Sequence, residues 1–120
     1  MNPKSDLEYV LEIIEALRGK TVIDAVTIRD ESGKEMTTYF DNTFLNYVLW
    51  NYHEQIDITQ FPQVITIQAH HLFGNPNDQF SISAQPKKLT FLNKRRIEET
   101  LYLDLTRYCD HNNIVTEVIE

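Results

Sequence analysis

The chain has 120 residues, 42% of them hydrophobic, and a formal net charge of −7. That length fits one domain spanning residues 1–120, and three Gly and four Pro leave little room for linkers or low-complexity arms. The acidity argues against direct nucleic-acid binding, where affinity rests on cations displacing counterions from phosphates. No stretch approaches the ~18 apolar residues of a membrane-spanning helix.

The charge is unevenly spread. Residues 1–60 hold five Lys/Arg against eleven Asp/Glu, and residues 61–120 hold six against seven. The first apolar residues are interrupted by Glu8, Glu12 and Glu15, unlike the apolar core of a signal peptide. The single cysteine, Cys109, cannot form an internal disulfide. These features favour a cytoplasmic setting, although a lone cysteine is compatible with export.

In chain order, Ser5 and Glu8 form a capping box for a helix over residues 6–18, with Leu7, Val10, Leu11, Ile14 and Leu17 on one stripe and Gly19 as its stop. Residues 20–29 read as a strand rich in β-branched side chains. Strict alternation puts Val22, Val26 and Ile28 on one face with Asp24, and Ile23 and Ala25 on the other. The turn Asp30-Glu31-Ser32-Gly33-Lys34 returns the chain to a strand over 36–40, and Asp30, Glu31 and Glu35 make its tip acidic. Asp41, Asn42 and Thr43 offer caps for a second helix ending near Glu54, with Tyr47 and Trp50 outside its main apolar stripe.

Residues 64–73 read as a long strand, with Ile65, Ile67, Ala69, His71 and Phe73 on one face. The turn Gly74-Asn75-Pro76-Asn77-Asp78 leads to a strand holding Phe80, Ile82 and Ala84, which Pro86 helps end. Residues 89–92 read as a short extended piece. Asn93 is the predicted cap of a third helix with Ile97, Leu101, Leu105, Tyr108 and Cys109 on its buried stripe and Asn112 or Asn113 at its close. Residues 114–119 read as a last strand. The order α-β-β-α-β-β-α-β predicts an α+β domain with a mostly antiparallel sheet of about five strands and three helices.

No motif carries a chemistry. His70 and His71 are adjacent on a strand and so point to opposite faces, which prevents them from chelating one metal. The sequence has no HExxH, no cysteine pair, no GxSxG and no phosphate-binding glycine loop. No catalytic residue, metal ligand or cofactor is therefore assigned, and an enzyme is the less favoured reading.

Two readings of different classes remain. The first is a small, non-catalytic protein-binding domain, in which Asp30, Glu31, Glu35, Tyr47, Trp50, Glu54 and Asp57 meet a basic protein surface. Immunity proteins, antitoxins and phage-type inhibitors share this short, acidic, motif-free profile; the parallel is one of size and charge alone. The second is a small-ligand or anion-binding domain, the reading that leaves room for an enzyme, using Lys94, Arg95 and Arg96 at the start of the third helix near the His70/His71 strand. The last strand, if an uncovered edge, would allow homo-oligomers.

Overall fold

The computed structural model describes residues 6–29, 35–39 and 64–119. Among them are helix α1 (Asp6–Arg18), strands β1 (Thr21–Arg29), β2 (Glu35–Tyr39), β3 (Val64–His71), β4 (Phe80–Gln85) and β5 (Lys88–Leu92), a 3-10 turn (Lys94–Arg96), helix α2 (Glu99–His111) and strand β6 (Val115–Ile119). The predicted second helix lies outside the described residues, as does Ser5.

The strands form one mixed sheet in the order β2-β1-β3-β4-β5-β6. The first four pairings along that order are antiparallel, and β5–β6 is parallel. Parallel neighbours need a crossover, and α2 supplies it.

The core lies on one face of this sheet. Ile65, Ile67 and Ala69 of β3, Phe80, Ile82 and Ala84 of β4, and Leu89 and Phe91 of β5 are buried with Val10, Ile13, Ile14 and Leu17 of α1 and with Leu101, Leu105 and Cys109 of α2. Period-2 strands and period-3.6 helices thus bury their apolar sides against each other. The opposite face is polar, and Thr66 there hydrogen-bonds Ser83 at 3.0 Å.

Four local expectations are corrected. The β1–β3 register shifts between Ile23 and Ala25, so Asp24 occupies a bulge. Ile23 and Val26 consequently both face the core, opposite Ala69 and Ile67, while Val22 is exposed. β3 stops at His71, which leaves Phe73 outside the core. The piece at 89–92 is a full strand, because Pro86-Lys87 is a two-residue turn joining Gln85 to Lys88, with Lys87 at φ 60°. A proline at its second position presets such a turn.

The fourth correction concerns the cations. Lys94–Arg96 form a separate 3-10 turn, Ile97 is extended, and α2 begins at Glu99. Asn93 makes no side-chain cap; it adopts a left-handed conformation at φ 57°. The acidic Glu99 in the first turn suits the helix dipole, and the three cations lie outside the helix.

Candidate functional site

The site forms where the β3–β4 loop meets the 3-10 turn. The loop is held internally: Gly74 N–H donates to the His71 carbonyl at 2.9 Å, Asn77 N–H to Asn75 Oδ1 at 2.9 Å, and Asp78 N–H to the Asn75 carbonyl at 2.9 Å. Asn75 is the Asx residue its type predicts at a turn start. The Arg96 guanidinium then donates to the Asn77 carbonyl at 3.1 Å, tying the 3-10 turn to the loop.

His71 completes the join. Its Nε2 accepts the backbone N–H of Glu98 at 2.9 Å, immediately before α2. In the neutral ring that does so, Nδ1 carries the proton and is a donor. The ring also packs on Phe80, with centroids 5.3 Å apart.

A cleft of about 450 Å³ results, lined by His71, Gly74, Asn75, Asp78, Arg95 and Arg96. Two guanidinium groups, an imidazole and an amide offer donors suited to a carboxylate or phosphate oxygen. Asp78 is the opposing charge on the wall and disfavours a bare anion beside it. On the same loop, Leu72 is 48% exposed and Phe73 is 99% exposed. The loop that lines the cleft with the two arginines thus also carries an exposed apolar pair.

The cations singled out in the sequence diverge. Lys94 Nζ lies 4.7 Å from the Tyr102 ring centroid, a cation–π contact, whereas Arg95 and Arg96 line the cleft. Lys88 bridges to Glu117 at 3.0 Å. Of the acidic and aromatic candidates, Asp30, Glu31, Tyr47, Trp50, Glu54 and Asp57 lie outside the described residues, and Glu35 opens β2 opposite Arg29.

A second polar cluster occupies the other face. Asp24 Oδ2, on the bulge, lies 2.8 Å from His70 Nδ1 and accepts from Gln79 Nε2 at 3.1 Å, and Gln68 Nε2 donates to Gln79 Oε1 at 2.6 Å. His70 is buried. A buried polar ring needs such a partner, and this cluster satisfies both the ring and the bulge. His70 and His71 do face opposite sides, and among the described residues no group of three or more His, Cys, Asp or Glu side chains could hold a metal ion. No described helix is long and apolar enough to cross a membrane.

Sequence reasoning flagged Arg95 and Arg96 and placed the turn at 74–78, but missed Asn75, Asp78 and the exposed Leu72–Phe73 pair. The signal available for that pair was its position against the turn: a strand that stops two residues early leaves its last apolar residues in water. No protein-family model, curated protein or solved structure matches this chain.

Proposed function

We propose that this chain is a non-catalytic protein-binding domain that acts by covering a partner's surface, with the β3–β4 loop and the Arg95–Arg96 turn as one contact site. The observation that carries the reading is the 99% exposure of Phe73 on the loop whose Gly74, Asn75 and Asp78 line a cleft with two arginines. Burying such a side chain is worth roughly 1.5–3 kcal/mol, a gain left for association here. Aromatic residues and arginine dominate binding hot spots. The loop's internal hydrogen bonds lower the entropy lost when a partner docks. The matching partner surface has an apolar pocket rimmed by carboxylates. The acidic first half of the chain, with Asp30, Glu31 and Glu35, supports a further contact of opposite sign to a basic region of a partner.

Affinity capture with the tagged protein tests this. A partner retained in stoichiometric amount by the wild type is expected to be lost from Phe73→Ser and from the Arg95→Glu/Arg96→Glu double variant. Retention by both variants, or no partner at all from the native source, would sink the reading.

Small-anion binding is the second reading, favoured by the donors converging in the cleft. Thermal-shift measurements with inorganic phosphate, nucleotides and dicarboxylates separate the two. Stabilisation abolished by Arg95→Ala but kept by Phe73→Ser supports the anion site, and silence across the panel removes it.

A further inference from the structure

Strand β6 has one hydrogen-bonded neighbour, β5, and none on its other side among the described residues. Its own hydrogen bonds fix which backbone groups are left over. Val115 N–H donates to the Lys87 carbonyl at 2.9 Å, and the Ile119 carbonyl accepts from Asn93 N–H at 3.2 Å. In a parallel ladder a residue bonds its neighbour with both backbone groups, and the next residue faces away. Val115, Glu117 and Ile119 therefore bond to β5. The N–H and C=O groups of Thr116 and Val118 point out of the sheet edge.

Of the usual edge protections this strand carries one charge, Glu117. The strand Val-Thr-Glu-Val-Ile contains no proline and no lysine, and its five-residue pairing with β5 runs without a bulge. Val115 is 64% exposed, Val118 40% and Ile119 45%.

We infer that β6 pairs antiparallel with β6 of a second copy of this chain, about a two-fold axis through Glu117. The outward groups select this register. With Glu117 on the axis, Thr116 lies opposite Val118 of the second copy, and those residues exchange both N–H···O bonds at each of two positions. Val115 then faces Ile119 of the second copy, placing exposed apolar side chains against each other. The opposing term is Glu117 beside its own symmetry mate, since like charges directly across a ladder destabilise it. Each Glu117 already meets its own Lys88 at 3.0 Å, so the row across the seam reads Lys–Glu–Glu–Lys and carries no net charge.

Sedimentation equilibrium on the full chain across micromolar to millimolar concentrations tests the pairing. The wild type is expected to dimerise reversibly. Val118→Lys should weaken the dimer at least tenfold while the circular-dichroism melt stays cooperative. Phe73→Ser should leave it unchanged. A wild type monomeric throughout would overturn the inference. So would a dimer indifferent to Val118→Lys, or lost in Phe73→Ser.

Discussion

Cys109 sits fully buried on the apolar stripe of α2. Burial pushes its thiol from 9.0 up to about 11, and the neighbouring Asp110 carboxylate adds to the shift. A thiol held neutral in this way is neither a nucleophile nor a metal ligand at ordinary pH. Below pH 9.0 the folded and unfolded chains both keep the proton. Between 9.0 and about 11 the unfolded thiol ionises first, so the unfolded state binds fewer protons and stability falls as pH rises through that window. Serine does not titrate there. At pH 8, Cys109→Ser is expected to cost about 1–3 kcal/mol, through a hydroxyl placed in an apolar site. That deficit should shrink as pH approaches 11. Urea midpoints of the two proteins measured from pH 8 to pH 11 check this; a constant offset would contradict it. Native Cys109 should also resist iodoacetamide at pH 8 until denaturant is added.

At the scale of elements, the end of α2 is the clearest piece of local design. Asn113 is left-handed at φ 58°. Ile114 N–H reaches back to the Cys109 carbonyl at 2.8 Å and Asn113 N–H to the Asp110 carbonyl at 3.4 Å. This double closure is a Schellman motif, with buried Ile114 and Cys109 as its apolar contact. Glycine takes that backbone conformation without cost, so Asn113→Gly should hold or raise stability by up to about 1 kcal/mol, while Asn113→Val should lose about 1–2 kcal/mol. Chemical denaturation of both variants measures the difference, and a destabilising glycine would show that the Asn113 side chain holds the turn. That Asn112 or Asn113 would end the helix was legible, because asparagine is the usual second choice there. The bounds of α1, the Leu101–Leu105–Cys109 stripe of α2 and the alternation of β3 over 65–69 and of β4 were legible for a similar reason, since each follows one uninterrupted period, whereas Tyr9 and Ile13 are buried in α1 beside the predicted stripe. Reading failed where a period breaks. Alternation cannot foresee the extra residue at Asp24, because the bulge is stabilised by His70 and Gln79, which are distant in sequence. The extended Ile97 likewise splits a 3-10 turn from α2 in a stretch of unbroken helical composition. For the same reason Arg95 and Arg96 could be picked out as cations, but their meeting with His71 and Asn75 depends on the loop docking against the turn.

Across the whole molecule, stability should decline from the middle of the sheet outward. β3, β4 and β5 each have a neighbour on both sides, and Ile67, Ile82, Leu89 and Phe91 are completely buried. β6 has one described neighbour and is mostly exposed. Amides exchange through openings whose free energy follows burial and hydrogen bonding, so those of β3, β4 and β5 should exchange slowest, near the rate of global unfolding. Within β6 the pattern should alternate. The inward amides of Val115, Glu117 and Ile119 are bonded to β5 and should be partly protected, whereas those of Thr116 and Val118 point outward and should exchange at close to the free rate in dilute solution. The same two amides carry the proposed pairing, so they alone in β6 should slow as concentration rises through the dimer range. Residue-resolved hydrogen exchange by NMR at two concentrations reads both effects. If Thr116 and Val118 are protected in dilute solution, the edge is already occupied within the monomer. If all of β6 gains protection together at high concentration, the edge is being buried by something other than a strand in this register.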